Sequence, residues 1–166
     1  MLQLKKFPAL LTFTGQNVGA GKPERIKRVA RSSYLAGVMT AVILCTVLCA
    51  FRDFFAGLYI NSESGNRAEI LAAVEQKFRF MITPYFLVSM MEVGANLVRG
   101  MGKSILPMVV SLIGSCLFRI TWTYTVFALV PELWILYISM PISWFITATV
   151  HFISLVIILK KYRAQT

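Results

Sequence analysis

Residues 133–159 read LWILYISMPISWFITATVHFISLVIIL, with no Asp, Glu, Lys or Arg among them. An α-helix needs about 20 apolar residues to cross the hydrocarbon core of a bilayer, and this run is longer. Three further apolar stretches, 34–51, 80–98 and 105–130, are near or above that length. The runs are continuous rather than alternating, which argues for helices and against a membrane barrel. The fold class this predicts is all-α: a polytopic helical membrane protein with four full transmembrane helices.

Composition agrees. The chain has 166 residues, of which 57% are hydrophobic and 14% charged, and its mean hydropathy is +0.70. A soluble domain of this length does not bury enough surface to hide so much apolar material.

The formal net charge of +10 raises the question of nucleic acid, and the placement of the charge answers it. Lys5, Lys6, Lys22, Arg25, Lys27, Arg28 and Arg31 precede the first span against Glu24 alone. The next connection balances Arg52, Arg67, Lys77 and Arg79 with Asp53, Glu63, Glu69 and Glu75. Arg99 and Lys103 fill the third connection, Glu132 stands alone in the fourth, and Lys160, Lys161 and Arg163 close the chain. Basic clusters thus alternate with spans, as the positive-inside rule requires. The expected topology has both termini cytoplasmic in a plasma or inner membrane. The expected partner of the basic excess is the lipid bilayer with its anionic headgroups, not nucleic acid.

Along the chain, residues 1–14 are too short to span and read as the inner end of a helix, a stub before the first span. Gly15, Gly19 and Gly21 predict a turn. Pro23 and Glu24 suit the first turn of a new helix, the proline because its missing N–H is not needed there and the acid because of the helix dipole. The segment 54–60 is expected at the interface, 61–66 as a turn, and 68–79 as an amphipathic helix near the outer face. Gly100, Gly102, Lys103 and Ser104 predict a tight inner loop, with Pro107 in the first turn of the third span. Trp122, Tyr124, Trp134 and Tyr137 flank Pro131 like an interfacial aromatic belt. Pro84 and Pro141 fall within spans, where each removes a backbone hydrogen bond and is expected to kink its helix.

Several motifs dissolve on inspection. GQNVGAGKPE superficially matches a phosphate-binding loop, yet Gln16 occupies the first glycine position and Pro23 follows Lys22 where a hydroxyl is required. Lys5 and Lys6 before a short apolar run containing Pro8 do not make a signal peptide. Cys45 and Cys49 share a helix face, but no second pair or histidine completes a metal site. With Cys116 they are expected at packed positions, without disulfides. No Ser/His/Asp set, HExxH motif or paired catalytic carboxylates is present, so no enzyme and no cofactor is expected.

The ionisable residues inside spans are the candidates for function, because a charge in hydrocarbon persists only when paired, protonated or facing water. Glu92 lies seven residues before Arg99, about 10 Å along a helix axis, in the inner half of the membrane. Gly94 and Asn96 beside it suit an internal face. Two readings of Glu92 stand: a proton or cation site lining a cavity, or a hydrogen-bonded anchor between helices. Arg119 lies fifteen residues past Ser104, about 22 Å along the axis, in the outer half. The depth difference of roughly 12 Å is too great for a direct Glu92–Arg119 pair between straight helices. Arg119 is left to snorkel outward or to pair with a group outside this chain. His151, a lone histidine, reads as a packing or interfacial residue.

Three segments together resemble a known family: TFTGQNVGAGKPERIKR (12–28), MMEVGANLVRGMGKSILPMVVSLIGSCLFRITWTYTVF (90–127) and LYISMPISWFITATVHF (136–152). They are similar, in order and over nearly the whole chain, to the C-terminal lobe of the MATE (multidrug and toxic compound extrusion) transporters. The resemblance implies twelve helices in two bundles of six, of which residues 1–166 would supply the end of the eighth through the twelfth. It implies export of cationic or amphiphilic drugs and metabolites in exchange for H⁺ or Na⁺, with the N-terminal lobe supplied in cis or on a separate chain. It places an acidic residue on the tenth helix facing the C-lobe cavity. Glu92 fits that position in the branch whose acid follows a methionine, whereas branches with the acid a turn earlier would have it where Val88 stands. Glu92, Asn96 and Arg119 are therefore the expected cavity residues. The alternative is a truncated, non-transporting membrane fragment or one chain of a split transporter.

Overall fold

A computed structural model describes residues 2–52, 54 and 67–163, and the regular structure among them is entirely helical. The helices are α1 (Leu2–Gly19), α2 (Pro23–Ala50), α3 (Arg67–Lys77), α4 (Phe86–Gly100), α5 (Ile105–Ser111), α6 (Phe118–Trp122) and α7 (Leu133–Arg163). Shorter turns join some of them into longer rods. Four rods are long and apolar enough to cross a membrane: Glu24–Ala50, Leu71–Gly100, Ile105–Phe127 and Leu133–Arg163. These are the four expected spans. Residues 55–60 and 61–66, expected at the interface and in a turn, lie outside the described residues.

The second rod differs from expectation. The segment from Arg67 is not a separate interfacial helix but runs into the span through a π-helical turn (Phe78–Ile82) and a 3-10 turn (Thr83–Tyr85). Pro84 explains the change of winding. It has no N–H to give to the preceding turn, and the Phe86 N–H turns to the Pro84 carbonyl. The Ile82 carbonyl instead accepts the Cys45 thiol of α2 at 3.1 Å. Irregular backbone inside a membrane is tolerated when neighbouring helices satisfy it in this way. Pro141, by contrast, sits within an uninterrupted α7. Cys49 and Cys116 are exposed rather than packed, and all three thiols are free.

The glycine-rich loops are also more ordered than the sequence implied. Gly15 and Gly19 belong to α1, and the turn is confined to residues 20–22. Gly21 has φ 64°; its N–H donates to the Val18 carbonyl (3.1 Å) and that of Lys22 to the Asn17 carbonyl (3.0 Å). This is the Schellman arrangement, in which a left-handed glycine closes a helix and satisfies its last carbonyls. The end of α4 repeats it: Gly102 has φ 79°, with Gly102 N–H to the Arg99 carbonyl at 3.0 Å and Lys103 N–H to the Val98 carbonyl at 3.3 Å. The two Gly-X-Gly-Lys sequences, 19–22 and 100–103, are thus helix stops. The first is the segment that mimics a phosphate loop.

The core forms around α4. Its second half, Val93 to Val98, is buried without interruption. Leu97 and Val98, both fully buried, pack with Leu10 of α1, Ile26 and Ala30 of α2, and Leu155 and Leu159 of α7. In the most apolar window of each rod, 44% of residues are buried for the α4 rod and 39% for α7, against 6% for α2 and 11% for the α5–α6 rod. The last two therefore present most of their apolar surface outward, as lipid-facing helices do. The basic ends of α2, α4 and α7 gather at one end of the bundle. There Arg163 pairs with Glu24 (3.3 Å) and the Tyr162 hydroxyl donates to the Val18 carbonyl (2.6 Å).

Gly100 marks a close approach in this core. A Cβ there would lie 2.6 Å from Thr14 Cβ and 2.9 Å from the Leu11 carbonyl oxygen, so Gly100→Ala should drive α1 from α4. The expected loss is about 1–3 kcal/mol, typical of overpacking, read as a lower unfolding temperature in detergent. An unchanged unfolding temperature would contradict this contact.

Candidate functional site

Glu92 sits on α4 with its side chain half-buried. Asn96, one turn later and only 7% exposed, donates its amide to the Glu92 carbonyl (2.8 Å) and lies 3.5 Å from the carboxylate oxygen Oε2. The i, i+4 spacing puts the two side chains on one face of the helix. No ion pair to Glu92 is present among the described residues. The arrangement is a carboxylate with an adjacent amide, within a span and without a fixed counter-charge. Such a group can take a proton or a small cation.

Arg119 does not join it. The residue lies on α6, a single α-helical turn between two π-helical turns, Leu112–Leu117 and Thr123–Phe127. Its guanidinium carbon stands 6.0 Å from the centre of the Trp144 ring on α7, within the range of a cation–π contact. Its Nε is buried with no hydrogen-bond partner among the described residues. Trp144 in turn meets Tyr85 edge-on, with ring centres 6.0 Å apart. Arg119 thus rests on an aromatic platform that links α6, α7 and the 3-10 turn ahead of α4. Two threonine hydroxyls of the second π-helical turn donate to carbonyls one turn back: Thr123 to that of Arg119 (2.9 Å), which also accepts the Thr123 N–H, and Thr125 to that of Thr121 (2.7 Å).

A second polar feature was not singled out from the sequence. Ser139, Ser143, Thr147 and His151 follow one another at four-residue intervals on α7, and all are at most 5% exposed. Their spacing is the signal that could have revealed them, since i, i+4 positions share one helical face. His151 is fully buried, and its Nε2 is 3.3 Å from the Ser111 hydroxyl of α5. Its Cβ packs against Gly94 of α4, where an added Cβ would lie 2.9 Å from both His151 Cβ and the Tyr34 hydroxyl. Thr147 packs against Gly114 in the same manner. Small residues and hydroxyls of this kind let membrane helices approach closely and hydrogen-bond. The Tyr34 hydroxyl, the Ser143 hydroxyl and His151 Nδ1 are nevertheless buried without partners among the described residues.

The aromatic belt closes the opposite end. The Trp122 indole donates to the Ile135 carbonyl at 3.0 Å and the Trp134 indole to the Glu132 carboxylate, while Tyr124 is 80% exposed. Among the described residues, no group of three or more His, Cys, Asp or Glu side chains could hold a metal ion.

The fold and these intramembrane polar groups define a helical, multi-pass membrane protein. The family model MatE matches residues 8–125, most of the chain, and the protein belongs to that family, whose members are transporters. No curated protein and no solved structure matches the chain.

Ser111→Ala should remove the side-chain hydrogen bond that His151 makes among the described residues. The expected destabilisation is about 1 kcal/mol, since hydrogen bonds between membrane helices are individually modest. His151 is the chain's single histidine, so its imidazole nitrogen resonances can be followed unambiguously. They should shift in this variant; resonances identical to wild type would show that the contact is not made.

Proposed function

We propose that this chain acts as the C-terminal part of an antiporter that expels cationic or amphiphilic small molecules in exchange for H⁺ or Na⁺. The observation that carries this reading is Glu92: a carboxylate within a span, half-buried, with Asn96 at its side and no cationic partner among the described residues. A permanently paired carboxylate would be structural, whereas an unpaired one has exchangeable occupancy.

In this mechanism Glu92 loads H⁺ or Na⁺ from the outer side, and neutralising its charge releases a bound cationic substrate. Asn96 holds the carboxylate side of the helix in place. Arg119, stacked on Trp144, supplies a fixed positive charge farther out that disfavours the return of a cation. Alternating access requires a second lobe rocking against this one, supplied in cis or by another chain. In this reading the positive-inside rule turns the basic end of the bundle, with the α1–α2 turn and the Arg163 end of α7, toward the cytoplasmic side of a plasma or inner membrane.

Glu92→Gln, made in the complete transporter, should lower coupled efflux at least tenfold while leaving the amount in the membrane unchanged. Measuring efflux of a fluorescent cationic dye from inside-loaded cells, with and without an imposed H⁺ or Na⁺ gradient, provides the test. Efflux equal to wild type would remove Glu92 from the mechanism.

A further inference from the structure

A crevice of about 570 Å³ runs between α1 and α2 and is floored by Val93 of α4. Its α2 wall is graded in chemistry. Arg28 stands at one end, Ser32 and Ser33 follow one turn later, and Ala36, Gly37 and Thr40 continue the same stripe. Leu10 and Phe13 of α1 form the facing wall. From Arg28 to Thr40 is twelve residues, about 18 Å of helix, somewhat more than one leaflet of a ~30 Å hydrocarbon core.

The charge at the Arg28 end is uncompensated. Glu24, the one acid in the α1–α2 corner, is taken by Lys27 and by Arg163, each at 3.3 Å. No ion pair to Arg28 is present among the described residues. Arg28 also belongs to the basic end of the bundle, the end that meets anionic headgroups in the orientation given above.

We propose that this crevice is a seat for one anionic phospholipid. The Arg28 guanidinium receives the phosphate, the Ser32 and Ser33 hydroxyls face the glycerol and ester oxygens, and one acyl chain lies along Ala36, Gly37 and Thr40 against Phe13. Three features match this occupant together: a cation with two hydroxyls at headgroup depth, an apolar trough of leaflet length, and small side chains at Ala36 and Gly37 that leave room for a chain. Guanidinium groups recognise phosphate oxygens through paired N–H donors, and basic residues next to a membrane-spanning helix favour anionic lipid.

The test is native mass spectrometry of the full chain in mild detergent, titrated with 1-palmitoyl-2-oleoyl phosphatidylglycerol or with the phosphatidylcholine of the same chains. Wild type should retain one phosphatidylglycerol at least fivefold more tightly than phosphatidylcholine. Arg28→Gln should lose that preference. Arg25→Gln, which removes the same charge outside the crevice, should keep it. Ala36→Phe, which fills the trough and spares Arg28, should weaken phosphatidylglycerol at least fivefold. Circular dichroism identical to wild type qualifies each variant. Equal retention of the two lipids, or equal effects of Arg25→Gln and Arg28→Gln, would overturn the proposal. So would displacement of the lipid by millimolar inorganic phosphate, which would make the site one for a free anion. A wild-type dimer that dissociates on Ala36→Phe would assign the crevice to a second copy of the chain and likewise overturn it.

Discussion

The close approach of α4 to its neighbours is the constraint on which this bundle depends. Lipid tails are as apolar as leucine, so helices in a membrane gain little from hiding apolar surface and must gain from contact instead. Gly94 lets His151 of α7 and Tyr34 of α2 reach the α4 backbone, and Gly100 does the same for Thr14 of α1. Each position tolerates no Cβ without displacement of a neighbour. With α4 held on three sides, the half-buried Glu92 and the Asn96 beside it are set at a defined depth, and α2 and the α5–α6 rod are left at the periphery.

That packing explains why irregular backbone survives inside the spans. Pro84 breaks the register ahead of α4, and the Ile82 carbonyl, passed over by the Phe86 N–H in favour of that of Pro84, is met by Cys45 rather than left in hydrocarbon. In the π-helical turn after Arg119, the Thr123 and Thr125 hydroxyls donate to carbonyls of the same rod. In both places a polar atom that water would satisfy in a soluble protein is satisfied by a side chain of the bundle, because an unmet backbone group in a bilayer costs several kcal/mol. The buried but unpartnered atoms of Tyr34, Ser143 and His151 stand out against this economy. They all lie on the α2–α4–α7 side of the bundle, where small residues have already brought the helices together.

The loops show how a local motif changes meaning with context. Gly-X-Gly-Lys occurs twice, and each copy ends a helix with a left-handed glycine and the same pair of backbone hydrogen bonds. In a strand-to-helix setting a similar string cradles phosphate. Between two helices it is a stop signal, and the proline four residues or fewer beyond each lysine, Pro23 or Pro107, then falls in the first turn of the next helix. Both hinges carry their lysine toward the basic end, so sequence, capping and charge distribution agree there.

The amino-acid sequence by itself determined the class, the four spans and their approximate limits, because a bilayer imposes a length of apolar helix that can be read along one dimension. It also determined which ionisable groups stand inside the spans, because those are read directly from the apolar runs. Tertiary structure alone decided which faces those residues present and to whom. Nothing in the order of residues shows that Trp144 lies under Arg119, that Gly94 admits both Tyr34 and His151, or that Gly15 and Gly19 belong to a helix rather than a turn. The same holds for the continuous rod from Arg67 to Gly100, which the charged segment 67–79 disguises as a separate surface helix. These features depend on side chains far apart in the chain meeting in space, and in a membrane, where apolar surface gives little guidance about inside and outside, helix-to-helix fit settles them.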